Sequence, residues 1–233
     1  MVDHKTLIVA LDYDDMRSVL QLTDQLDPSV CRVKVGKQLF TRVGPAAVEQ
    51  LVNQGFDVFL DLKFHDIPNT VAQAVVAAAD LGVWMVNVHA SGGSSMMAAA
   101  CQALAGRQHR PLLTAVTVLT SMAEADLSEV GFQGGALARV VGLAKLAEGA
   151  GLDGVVCSAQ EAAELRKFVG PKFALVTPGI RLKGDAAGDQ KRVVEPATAI
   201  AAGADYLVMG RSITGAEDPS AVIERILSSL EPI

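Results

Sequence analysis

Eight short β-rich runs recur along the chain about every 25 to 35 residues, each followed by apolar spacing of helical period. The runs cover 6–12, 31–36, 56–63, 85–90, 112–119, 154–158, 173–179 and 206–211. Helical patterns fill 14–26, 38–53, 70–81, 94–105, 136–150, 159–168, 191–202 and 219–230. Strict alternation of strand and helix forces the strands to be parallel, and eight such units predict a closed (β/α)8 barrel of the TIM type. A doubly wound open sheet is the competing arrangement. No linker of Pro, Gly and Ser interrupts the series, so the expectation is one barrel domain over residues 1–233.

Composition narrows the function classes. Half of the 233 residues are hydrophobic, yet they lie in runs well short of the roughly 20 residues that span a bilayer. A strand begins at Thr6 with no basic and apolar leader before it, which predicts a cytoplasmic protein without a membrane partner. The net charge of -6 argues against nucleic acid as a partner, because duplex binding needs a basic face. Cys31, Cys101 and Cys157 are odd in number, far apart and set among apolar neighbours, so they read as buried small hydrophobes.

In such a barrel the chemistry belongs at the carboxyl ends of the strands. Strand one ends in Asp12, strand two carries Lys34, strand three ends in Asp61 and Lys63, strand four reaches Asn87 and His89, and strand five runs into Thr120-Ser121. Alternation puts Phe59, Asp61 and Lys63 on one face of strand three, and Arg32 and Lys34 on one face of strand two. Four charges from three neighbouring strands are therefore expected to converge at one mouth. Burying them costs several kcal/mol per ion before compensation, which favours a working site over a structural ion pair.

The loops after strands seven and eight, where barrels of this kind hold phosphate, read Thr177-Pro178-Gly179-Ile180-Arg181 and Met209-Gly210-Arg211-Ser212. Gly210 would admit backbone amides close to an anion, and Arg181 and Arg211 each offer paired donors. Two connections, 120–135 and 182–190, are long enough to act as lids, and Gln190 on the second could close on the same phosphate. His65 is expected to follow the apolar side of its turn rather than join Asp61 and Lys63, and His89 to be a core or supporting residue. No set of His, Asp and Glu has spacing that demands a metal.

The run Asp61, Lys63, Asp66, Ile67, Pro68 and Thr70 matches the pattern D-x-K-x-x-D-I-P-x-T without a departure, and so resembles the orotidine 5'-phosphate decarboxylase family. Asp12, Lys34, Thr120-Ser121, Pro178 to Arg181 and Gly210-Arg211 extend the resemblance over the whole chain. It implies a carbon–carbon lyase that converts orotidine 5'-monophosphate to uridine 5'-monophosphate and CO2, the final step of pyrimidine nucleotide synthesis, without cofactor or metal. It further implies that Lys63 stabilises the C6 carbanion and donates the proton, flanked by Asp61 and Asp66. Lys34 and Asp12 would hold the ribose, Thr120 and Ser121 the pyrimidine, and Arg181, Gln190, Gly210 and Arg211 the phosphate. A homodimer is implied as well, with Asp66 and Thr70 entering the partner's site. Two rivals share parts of the pattern: a metal-dependent 3-keto-sugar-phosphate decarboxylase, and a silent phosphate-binding barrel with a scaffold role.

Overall fold

The computed structural model describes residues 5–132, 134–183 and 193–230. Eight strands, β1 (Leu7–Ala10), β2 (Arg32–Gly36), β3 (Val58–Phe64), β4 (Met85–His89), β5 (Leu112–Val116), β6 (Gly154–Val156), β7 (Ala174–Thr177) and β8 (Tyr206–Met209), close in sequence order into a barrel. Every neighbouring pair is parallel, including β8 with β1. The open-sheet alternative is thereby excluded.

Around the barrel lie α1 (Met16–Thr23), α2 (Lys37–Val43), α3 (Pro45–Asn53), α4 (Pro68–Asp80), α5 (Gly93–Leu104), α6 (Glu124–Glu129), α7 (Ala136–Gly149), α8 (Ala159–Leu165), α9 (Pro196–Ala201), α10 (Arg211–Thr214) and α11 (Pro219–Leu230). Strands packed on both faces need near-continuous apolar sequence. Accordingly, one apolar layer sits between strands and helices, while Ile8, Ala10, Phe59, Met85, Val116, Val156, Val176 and Val208 fill the barrel itself.

Three local features depart from the periodicity. The pattern over 38–53 is two helices, because Gly44 takes φ 76°, which only glycine adopts freely, and Pro45 then opens α3 at its first turn. The helix expected from residue 191 starts instead at Pro196, again with proline in the first turn. The connection 120–135 contains α6, whose single buried residue is Leu127. The Ala123 N–H donates to Asp126 Oδ2 at 2.7 Å and starts that helix.

The amino end of the barrel is closed by Arg32. Its guanidinium lies 4.1 Å from the Trp84 ring centroid and 5.3 Å from that of Tyr206, and these rings meet edge to face. Nε stands 3.3 Å from Asp57 Oδ2, and Nη1 donates to the Lys5 carbonyl. Arg32 thus shares a face with Lys34 as expected, but it serves the end of the barrel away from the site.

Candidate active site

Register breaks at the end of β3. Leu60 pairs with Val86 and Phe64 with Val88, so residues 61 to 63 stand opposite Asn87 alone. The extra length is absorbed at Lys63, whose φ of 55° is the one left-handed non-glycine conformation among the described residues. Such a conformation costs of order 1–3 kcal/mol and persists where surrounding bonds enforce it. Here the Lys63 N–H donates to Asn87 Oδ1 at 2.8 Å. Lys63 reaches the barrel mouth with Asp61 by this bulge, not by the simple alternation expected from sequence.

The charges form a row. Asp12 Oδ1 lies 3.3 Å from Lys34 Nζ, Lys34 Nζ lies 3.5 Å from Asp61 Oδ2, and Lys63 Nζ donates to Asp61 Oδ1 at 2.6 Å. Asn87 Nδ2 donates to the same Asp61 oxygen at 2.8 Å. Gly36, at the end of β2, makes room: a Cβ there would come within 3.2 Å of Lys34 Nζ and 3.6 Å of Asp12 Oδ1.

Burial by itself would raise the Asp61 pKa. Lys34 and Lys63 outweigh it by charge, and hydrogen bonds from Lys63 and Asn87 add to them, so the carboxyl is held below the ordinary carboxylate value. Asp61 is consequently an anion at neutral pH. Two cations and two anions alternate, which is the arrangement that lets four charges approach one another in a poorly solvated place.

The row lines a cavity of about 780 Å³ at the carboxyl ends of the strands. Thr120, Ser121, Pro178, Arg181, Gly210 and Arg211 line the same cavity, together with Gln38, which sequence reasoning did not single out, and Cys157, which it read only as a buried hydrophobe. Arg181 is buried, with Nη1 donating to the Ile180 carbonyl at 3.2 Å and Nε lacking an acceptor among the described residues. Ile180 and Val194 form a parallel bridge, so the chain leaves β7 and returns toward α9 at one clamped point. Gln190 lies outside the described residues.

Asp66 and Thr70 are not brought to this cavity. Both are exposed at the start of α4, and Asp66 Oδ1 accepts the Ile67 N–H at 2.7 Å. Ile67 between them is 66 % exposed. His65 and His89 do not line the cavity either; their rings lie 5.5 Å apart beside it, and His65 is exposed. Burial, then the charges of His65, Lys37 and Lys63, push the His89 pKa down to about 4, so its ring is neutral at pH 7. Asn87 stands in β4 as expected, but its bonds to Lys63 and Asp61 give it a part in the site that its place in the sequence did not assign.

Among the described residues no three His, Cys, Asp or Glu side chains gather into a metal-holding group, and no helix is long and apolar enough to cross a membrane. Solved structures that share the fold include the following two. One is orotidine 5'-phosphate decarboxylase from Lactobacillus acidophilus, at TM-score 0.87 and 38 % identity, covering 98 % of this chain and 100 % of that one. The other is an uncharacterized conserved protein from Geobacillus kaustophilus, at TM-score 0.85 and 41 % identity, covering 97 % and 100 %. Proteins named orotidine 5'-phosphate decarboxylase from Pseudoalteromonas translucida and Alcanivorax borkumensis are each 59 % identical to it. The first alignment covers 97 % of both chains, the second 96 % of this chain and 97 % of the relative. Residues 5–226 match the family model described as orotidine 5'-phosphate decarboxylase / HUMPS, and the chain belongs to that family.

Proposed function

We propose that this protein decarboxylates orotidine 5'-monophosphate to uridine 5'-monophosphate and CO2, the last step of pyrimidine nucleotide synthesis. The observation that carries the reading is the Lys63 ammonium, paired at 2.6 Å with an ionised Asp61 inside a cavity that also holds Arg181 and Arg211. The 59 % identity to proteins bearing that enzyme's name supports the same substrate.

Breaking the C6–carboxyl bond leaves its electron pair in an in-plane orbital that the pyrimidine π system cannot delocalise. A cation already fixed beside C6 stabilises that charge as it forms, with no reorganisation cost at the moment of reaction. Lys63 serves as this cation and then transfers a proton to C6. Asp61 keeps the ammonium charged and aimed. Lys34 and Asp12 hold the ribose hydroxyls, Thr120 and Ser121 meet the pyrimidine edge, and Pro178 shapes the adjoining wall. Arg181, Gln190, Gly210 and Arg211 take the phosphate, whose binding energy offsets desolvation and alignment at the distant reacting carbon.

The working unit is a homodimer in which Asp66 and Thr70 complete the partner's site. Supporting this are their exposure, their absence from the cavity of their own chain, and the exposed Ile67 between them. The enzyme acts in the cytoplasm as a single catalytic domain over residues 1–233, needing neither metal nor other cofactor.

The deciding assay follows loss of orotidylate absorbance with and without chelator. Turnover that survives chelator is expected; no loss of orotidylate but metal-dependent release of CO2 from a 3-keto-sugar phosphate would favour that reading, and neither activity would favour a scaffold. Lys63→Ala should nearly abolish turnover while the nucleotide still binds. Mixing Lys63→Ala with Asp66→Ala subunits should restore activity if the sites are shared, because a mixed dimer then contains one intact site.

A further inference from the structure

We infer that Asn87 is a positioning residue for the reaction, a single side chain that fixes both the backbone of Lys63 and the carboxylate of Asp61. This rests on the decarboxylase reading above. Asn87 is fully buried in the middle of β4, where a carboxamide is tolerated only if its polar atoms are paired. The pairing is specific. Oδ1 accepts the Lys63 N–H at 2.8 Å, and Nδ2 donates at 2.8 Å to the Asp61 oxygen that also receives the Lys63 ammonium at 2.6 Å.

The register explains why a side chain is needed there. Between the Leu60–Val86 and Phe64–Val88 pairs, three residues of β3 face one of β4, so the regular ladder gives way across the bulge. The Asn87 oxygen takes the place of a ladder carbonyl for Lys63, and its nitrogen spans to Asp61. A group with an acceptor and a donor on the same carbon does both. Ionised aspartate has acceptors alone and sets a second negative charge against Asp61, and leucine has neither donor nor acceptor.

Asn87 thereby couples the left-handed turn at Lys63 to the direction in which Asp61 presents its oxygen. The ammonium is aimed from both sides, through its own backbone and through its counter-ion. Asp61 is faced by Lys34 from β2 and Lys63 from β3, with Asp12, just past the end of β1, beyond Lys34 and His89 further along β4. Removing the Asn87 donor leaves those charges in place and withdraws one bond from the ionised form.

The test compares Asn87→Leu and the isosteric Asn87→Asp with wild type, each checked for folding by circular dichroism. Loss of a hydrogen bond to a charged group predicts a fall in kcat of about ten- to a hundredfold with KM for orotidylate unchanged. In the unliganded proteins, carbon NMR should show the Asp61 carboxyl titrating higher in Asn87→Leu than in wild type. The Lys63 amide signal should shift in Asn87→Leu and stay in Asn87→Asp, which keeps the acceptor. A folded variant with wild-type kcat, a change confined to KM, an unmoved Asp61 titration, or failure of both variants to fold would each overturn the inference. If wild type itself does not turn over orotidylate, the decarboxylase reading fails, while the two NMR readouts still decide whether Asn87 holds Lys63 and Asp61.

Discussion

Consider Asp61→Asn. In the folded protein Asp61 lies 2.6 Å from one ammonium and 3.5 Å from another, with its side chain 13 % exposed. At an effective dielectric constant near 20 these pairs carry gross attractions of about 6 and 5 kcal/mol. Most of that is offset by desolvation of three ions, and removal of one partner from a buried pair nets about 3–5 kcal/mol because uncompensated charge remains. Among the described residues of the chain Lys34 then keeps Asp12, whose side chain is 64 % exposed, while Lys63 loses its paired carboxylate. A chain of this size would lose roughly 6–20 °C in Tm. Urea unfolding of wild type and Asp61→Asn at pH 7 measures the difference.

The pH dependence makes the prediction sharper. The Asp61 pKa is lower folded than unfolded, so the unfolded chain binds the proton more readily and the ionised pair's stabilisation is present above the ordinary value of 3.8. As pH falls below that value toward the depressed folded one, the stabilisation disappears, and the gap between wild type and Asp61→Asn should close. Equal or greater stability of Asp61→Asn at pH 7, or a gap that widens in acid, would refute the assignment of Asp61 as the anion that neutralises both lysines.

Three further outcomes follow from the same geometry. Arg211→Ala should raise KM for orotidylate far more than it lowers affinity for the nucleoside lacking phosphate, a difference read by inhibition with uridine and uridine 5'-monophosphate. His89, displaced from 6.5 to about 4 by burial and nearby cations, binds its proton more readily in the unfolded chain, so it costs stability as pH falls from 6.5 toward 4. His89→Asn should flatten the acid dependence of Tm across that window, and an unchanged slope would contradict it. Gly154→Ala would place a Cβ 2.7 Å from Ala174 Cβ and 2.9 Å from its carbonyl carbon, forcing β6 from β7 at a cost of about 1–3 kcal/mol in urea unfolding.

The barrel was readable because parallel strands covered on both faces leave continuous apolar runs such as Leu7-Ile8-Val9-Ala10, and helices intervene between all of them. The convergence of Asp12, Lys34 and Asp61 followed from strand ends alone. The bulge did not: nothing in the residues 58–64 announces that Lys63 turns left-handed, because the cause lies across the sheet in Asn87. Likewise α6 contributes one buried leucine and no apolar period, so it is invisible to a periodicity argument, whereas the Gly44-Pro45 break was marked by a dipeptide that stops helices.

Arg32 and Lys34, two residues apart on one face of β2, are drawn to opposite ends of the barrel axis by different counter-ions: Asp57 and two aromatic rings below, Asp12 and Asp61 above. One short strand thus separates anchorage from chemistry along its length. The mouth that carries the charges is the doorway of the barrel, since the opposite end is capped by a cation lying against two rings that meet edge to face.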